Sequence, residues 1–290
     1  MKEKKRDLVV VKIGTNLLMK RGADGSEGLD TESIEYICKQ VLNLRRANVN
    51  VALVLSGAIS AGMAVIGSKK RPDKDHAMVK LQSLASVGWR HVLNAVDQGL
   101  DVTIGEILLT QRELCATQDS QLERKATSDQ QLRQFTLSWN AEATSVIAVT
   151  NELLASNSVV AVNENDAVAS DEIKLGDNDT LSAAFAAQLK RSDLFASVRL
   201  VMLTDVDGLY KDVGDHLTLI SSIAQRDIDL YANVARGSVN GNGTGGMITK
   251  LEAASLALKY GVNDVFVTNG RKENAIYKTL NGEAGTHFHA

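Results

Sequence analysis

Six short, nearly continuous apolar runs punctuate the chain: residues 7–13 (DLVVVKI), 49–55 (VNVALVL), 102–109 (VTIGEILL), 159–162 (VVAV), 198–203 (VRLVML) and 262–268 (VNDVFVT). A strand with one face in water alternates apolar and polar residues. A continuous apolar run predicts a strand covered on both faces, which is the condition of a parallel sheet. Helical patterns fill the intervals. Residues 30–47 open with Asp30 as an N-cap and Glu32 in the first turn. Residues 75–96 carry apolar side chains at Val79, Leu81, Leu84, Val87 and Val92. Residues 179–189 and 249–260 are Ala-rich, and Gly261 follows the latter where a C-cap glycine belongs. Strand–helix alternation of this kind predicts a three-layer αβα sandwich around a mainly parallel central sheet.

One stretch, 111–143, breaks the rhythm. It is rich in Gln, Ser, Thr and charge and reads as a polar insertion from the sheet. No linker cuts the 290 residues into independent domains, so a single domain is expected.

Charge narrows the function. With 32 basic and 35 acidic residues the net charge is -3, which leaves no electrostatic footprint for nucleic acid or an anionic membrane. Any phosphate must be held by a few placed groups. Cys38 and Cys115 have no metal or disulfide spacing and read as thiols of a reducing cytoplasm. The N-terminal apolar run is too short for a signal peptide, and nothing approaches about 18 apolar residues, so neither export nor a membrane span is expected. Pro72 is the only proline, a scarcity with no physical account here.

In a parallel α/β sheet, functional groups gather at the carboxyl ends of strands. Five clusters fall there. Lys12-Ile13-Gly14-Thr15-Asn16 sets a cation beside bare backbone N–H groups, suited to phosphate oxygens, although a strand-end lysine is often only solvated. Ser56-Gly57-Ala58-Ile59-Ser60-Ala61-Gly62 follows the second run; its small residues admit a ligand, or simply make a tight turn. Asn163-Glu164-Asn165-Asp166 follows the fourth, and could recognise an amino group with a carboxylate or serve as an N-cap and Asx-turn cluster. Lys174 to Asp179 includes Asp179 at a helix start, as a cap or as a charge partner for lysines. The fifth pairs Thr204-Asp205-Val206-Asp207-Gly208-Leu209-Tyr210 with the glycine-rich segment 241–250 (GNGTGGMITK). Lys250 is expected in the first turn of the helix that follows, where a cation opposes the dipole unless an anion is near.

Two other patterns carry little. Gly241, Gly243 and Gly246 satisfy G-x-G-x-x-G, but no strand leads into them, and Met247 follows where a Walker A loop has lysine. His287 and His289 form an H-x-H pair near the terminus, to which no metal role is assigned.

Taken together, VVVKIGTN (9–16), LSGAISAG (55–62), VNENDAVA (162–169), EIKLGDND (172–179), LTDVDGLY (203–210) and GTGGMITKLEAA (243–254) resemble the amino acid kinase family. The likeness is greatest to its glutamate-phosphorylating branch, the glutamate 5-kinases. The closing GTHFHA is similar too. The resemblance implies about eight strands, a substrate-binding lobe over about 1–180 and a nucleotide-binding lobe over about 181–290. It implies transfer of phosphate from ATP, with Mg²⁺ carried by the nucleotide and no protein side chain assigned to it, to the γ-carboxylate of L-glutamate, the first step of proline synthesis. Catalytic roles are implied for Lys12, Lys250 and Asp179, with Asp179 orienting both lysines. Substrate contacts are implied for Ser56, Gly57, Ala58, Asn163, Asp166 and Asn178. Nucleotide contacts are implied for Lys12, Gly14, Thr204, Asp205, Gly208, Tyr210, Thr244, Gly245, Gly246, Met247 and Lys250. A homo-oligomer, dimer or tetramer, and a reductase that takes the acyl phosphate are the implied partners. Two departures stand out. The PUA domain of many bacterial relatives is not expected, and TSVIAVTNELL (144–154) replaces the family's arginine- and asparagine-bearing helix. A same-fold kinase for N-acetylglutamate or a nucleoside monophosphate, or a silent amino-acid sensor, are the competing readings.

Overall fold

The computed structural model describes residues 5–22, 27–68, 70–72, 77–115, 136–169, 178–211, 218–237 and 244–290. In chain order these form β1 (Leu8–Ile13), α1 (Thr15–Leu18), β2 (Met19–Arg21), β3 (Glu27–Leu29), α2 (Thr31–Arg46), β4 (Asn50–Leu55), α3 (Ala58–Ile66), α4 (Met78–Leu100), β5 (Ile104–Leu109) and α5 (Gln111–Leu114). There follow α6 (Ala141–Ala155), β6 (Val159–Glu164), α7 (Asn178–Arg191), β7 (Val198–Thr204), β8 (Leu209–Tyr210), β9 (Leu219–Ile220), β10 (Ser222–Ala224), α8 (Ile228–Gly237), α9 (Thr244–Lys259), β11 (Asp264–Asn269), α10 (Ala275–Leu280) and β12 (Thr286–His289).

All six apolar runs are strands of one eight-stranded sheet, ordered β10-β12-β11-β7-β1-β4-β6-β5. Every neighbouring pair is parallel except β11 with β12. The run at 9–13 lies at the centre: Ile13 is in register with Leu55 on one side and Leu203 on the other. Its burial on both faces explains why every residue but Lys12 is apolar. Leu8 and Val10 pack on the side covered by α6, α7, α8 and α9; Val9, Val11 and Ile13 pack against α2, α3 and α4. The three layers expected from the alternation are therefore present.

Several details differ from the sequence reading. Residues 75–96 become α4 at Met78–Leu100, and Val79 and Val87 are exposed. The buried stripe includes Leu81, Leu84, Ala85, Gly88, Trp89, Val92 and Val96. Gly88 replaces a large apolar residue in that stripe because α3 crosses there. A methyl at Gly88 would stand 1.9 Å from Ala58 O, and one at Gly62 would stand 1.9 Å from Leu84 O. Segment 111–143 has ordered shoulders. α5 leads to Cys115, which bridges Leu137, and α6 begins at Ala141 under an Asn140 cap. Residues 116–135 lie outside the described part. The strands β2, β3, β8, β9, β10 and β12 went unread because runs this short show no period.

Candidate functional site

Alternation along β1 turns Lys12 toward the same face as Leu8 and Val10, the face that α7 and α9 cover. Asp179, in the first turn of α7, and Lys250, from α9, meet it there. Lys12 Nζ lies 2.6 Å from Asp179 Oδ1, and Lys250 Nζ lies 3.1 Å from Oδ2. All three are nearly out of water, with exposures of 6% for Lys12, 2% for Asp179 and 8% for Lys250. Burial pushes the Asp179 carboxyl up, but Lys12 and Lys250 outweigh it and hold the group down at about 2. Thr249 Oγ1 also donates to Oδ2, at 2.9 Å. Asp179 Oδ2 thus serves both Lys250 and Thr249, while Oδ1 faces Lys12.

Lys250 was expected in the first turn of its helix. The helix instead begins at Thr244, so Lys250 sits in the second turn and reaches back to Gly246 O at 3.1 Å. The glycines at 245 and 246 are the opening turn of α9 and not a loop before it. A helix start leaves backbone N–H groups without intrahelical partners, so the run still presents donors.

The second group lies where β4, β6 and α7 converge. Asn178 Nδ2 lies 2.6 Å from Leu55 O, 3.2 Å from Ser56 Oγ and 2.9 Å from Asn163 Oδ1. Asn163 and Glu164 are the last residues of β6, not a loop after it, and both are buried. Asp166 follows in the turn, its backbone N–H donating to Glu164 O at 2.9 Å. Gly57 holds a left-handed φ of 89° as it turns β4 into α3, so Ala58 opens the helix. Lys174 to Asp177, part of the same sequence cluster, lie outside the described residues.

The third group spans the ends of β1, β7 and β11. Gly14 N–H donates to Leu203 O at 3.2 Å, where a side chain would crowd that same oxygen. Asp205 Oδ2 accepts from Asn16 Nδ2 at 2.8 Å, and Thr204 Oγ1 donates to Asp205 Oδ1 at 3.2 Å. Gly208 passes so close to Thr286 that a methyl would lie 2.6 Å from its Oγ1. That hydroxyl accepts from Leu209 N–H at 2.8 Å and donates to Ile220 O at 2.6 Å, fixing the strand pair beside Tyr210. Burial and the neighbouring Asp207 push the Tyr210 phenol up. Met247 is partly buried against the core.

The sequence reading included Thr249 only as part of the glycine-rich segment 241–250, and it missed Asn269 and Arg271. Asn269 Nδ2 donates to Asp207 Oδ1 at 2.8 Å. Arg271 reaches Asn16 O at 2.7 Å and Asp30 Oδ2 at 3.1 Å. The signal was available: Thr268-Asn269-Gly270 closes a strand with polar residues and glycine, as the other clusters do. Among the described residues, no three His, Cys, Asp or Glu side chains form a group able to hold a metal. No described helix is long and apolar enough to cross a membrane.

Residues 7–269 match the sequence profile of the amino acid kinase family. The glutamate 5-kinase of Shewanella oneidensis is 37% identical over 289 residues, covering 97% of this chain and 68% of that protein. The glutamate 5-kinase of Streptococcus suis is 35% identical, covering 94% of this chain and 67% of that one. The glutamate 5-kinase of Streptomyces coelicolor is also 35% identical, covering 97% and 66%. Among solved structures, a carbamate kinase from Giardia superposes with a TM-score of 0.63 over 98% of both chains at 16% identity. An N-acetylglutamate synthase from Neisseria gonorrhoeae has the same TM-score and identity, over 98% of this chain and 62% of that one. At such identity these two matches speak to the fold alone.

Proposed function

The chain belongs to the amino acid kinase family, and we propose that it transfers the γ-phosphoryl group of ATP to the side-chain carboxylate of L-glutamate. The observation that carries this reading is the charge balance around Asp179. Two buried lysines share one carboxylate, leaving a net positive cluster nearly out of water. A buried charge is costly unless it is paired. Lys12 has no second protein partner among the described residues, so its remaining N–H bonds are open to an anion. A transferring phosphoryl group meets that need.

The chemistry asks little else of the protein. A carboxylate is already a nucleophile and requires no general base, so catalysis reduces to positioning and charge stabilisation. Lys12 and Lys250 would flank the phosphoryl group, and Asp179 would orient them. Ser56, Gly57, Ala58, Asn163, Asp166 and Asn178 would hold glutamate. Gly14, Thr204, Asp205, Gly208, Tyr210 and the start of α9 from Thr244 through Met247 would hold ATP. This assigns glutamate to a lobe of about 1–180 and ATP to a lobe of about 181–290. Mg²⁺ is assigned to the phosphates of ATP, where it would neutralise developing charge. The product would be the γ-acyl phosphate, whose lability calls for a reductase to consume it in proline synthesis. The cytoplasm is the assigned compartment, and a homo-oligomer the assigned assembly.

The test is ADP release from Mg-ATP with L-glutamate, N-acetyl-L-glutamate, L-aspartate and UMP in parallel, with hydroxylamine to trap acyl phosphate. Turnover with glutamate and trapped hydroxamate is expected. Turnover only with another acceptor would overturn the substrate, and none at all would favour a silent sensor.

A further inference from the structure

Asp179 Oδ2 receives two donors, Lys250 Nζ at 3.1 Å and Thr249 Oγ1 at 2.9 Å. The same two donors also converge on Gly246 O, at 3.1 Å from Lys250 and 3.0 Å from Thr249. The arrangement is uneven in hydrogens. An ammonium has three and can serve both acceptors with one left over; a hydroxyl has one and must choose. A hydrogen bond to an ionised acceptor is stronger than one to a neutral carbonyl, so the hydroxyl proton belongs on Asp179. Thr249 then occupies one lone-pair direction of Oδ2. Lys250 covers another and keeps its third hydrogen for a ligand. Oδ1 is left facing Lys12.

We infer that Thr249 is a positioning residue for the phosphoryl transfer, its hydroxyl fixing the rotation of the Asp179 carboxylate so that each oxygen faces one lysine. Without that bond, the carboxylate turns toward whichever lysine is closer, and the two cations no longer hold their separation. The inference rests on the kinase reading of this site. Thr249 touches neither reactant in this account, so its loss reaches the chemical step through Asp179 alone. The threonine methyl plays no part, and the effect must follow the hydroxyl.

The experiment is steady-state kinetics of Thr249→Val and Thr249→Ser beside the wild type, with glutamate and Mg-ATP varied separately. Valine keeps the shape and removes the hydroxyl. The expected result is a fall in kcat of about ten- to a hundredfold for Thr249→Val, the size of one hydrogen bond to a charged group, with both KM values little changed and activity restored by Thr249→Ser. A wild-type kcat in Thr249→Val, a loss carried by KM alone, or no rescue by serine would overturn it. A wild type inert toward glutamate would instead count against the kinase reading. Urea unfolding of Thr249→Val, Asp179→Asn and the double variant then tests the bond itself. Non-additive midpoints are expected, and additive ones overturn the inference.

Discussion

Lys12 and Lys250 are buried at positions where lysine is rarely tolerated. A preorganised donor aimed at developing charge is worth about 10²–10³ in turnover. Lys12→Ala and Lys250→Ala are therefore expected to lose kcat by about that factor while retaining the circular dichroism of the wild type. Near-normal turnover in either would remove that lysine from the mechanism. Asp179 carries a second expectation, in pH. Its carboxyl is held below the ordinary value of 3.8, at about 2, when folded. A group depressed by folding stabilises the native state above its unfolded pKa, and that contribution is lost as pH falls through the folded value. The stability gap between wild type and Asp179→Asn should thus be full above pH 3.8 and shrink toward pH 2. Urea midpoints measured across that range check it; a gap that does not change with pH would contradict the assignment.

At the scale of elements, the contact between α3 and α4 links packing to the site. Gly62 and Gly88 let the helix backbones approach until neither tolerates a methyl. The carbonyl that Gly88 would strike belongs to Ala58, the first residue of α3 and a proposed glutamate contact. Gly88→Ala must push α3 away from the carboxyl end of β4. Overpacking of this kind costs about 1–3 kcal/mol or more, so a lower urea midpoint is expected together with a raised KM for glutamate and a largely kept KM for ATP. Equal changes in both KM values would show that the displacement does not stay local. This contact also marks a limit of the sequence. Periodicity places apolar residues on a helix, but it cannot say which glycine stands where two backbones cross, because the partner is remote in sequence. Lys250 is the counterpart. The Gly-Gly pair reads as loop by propensity, yet both glycines are helical, since tertiary contacts of α9 against α7 override a local cost of about 1 kcal/mol each.

For the whole molecule, the strands and the grouping of functional residues at their carboxyl ends were legible, because burial on both faces leaves its mark on nearly every residue of the central strands. The edge strand β5 departs from that expectation, being only partly buried with Leu108 exposed. Of what joins the halves, only the pairing of Asp179 with Lys250 was expected. The contacts of Asn16 with Asp205 and Arg271 with Asp30 span separations that no local pattern encodes. They have a consequence for stability. Strands up to residue 164 build one side of the sheet and those from 198 the other, but β1 lies between β4 and β7 with full register to both. Neither side can lose β1 without exposing the central core, so the two proposed lobes should unfold as one cooperative unit. Of the two tryptophans, Trp89 bonds Glu106 of β5 within the first half, whereas Trp139 lies under the guanidinium of Arg191 from the second lobe. In a Trp139→Phe background, fluorescence therefore reports on the first half and far-ultraviolet circular dichroism on the whole. Coincident urea transitions by the two probes are expected. A fluorescence transition that separates from the circular dichroism would mean that the lobes part at the β1–β7 seam, and that the lysine–aspartate contact across it is too weak to couple them.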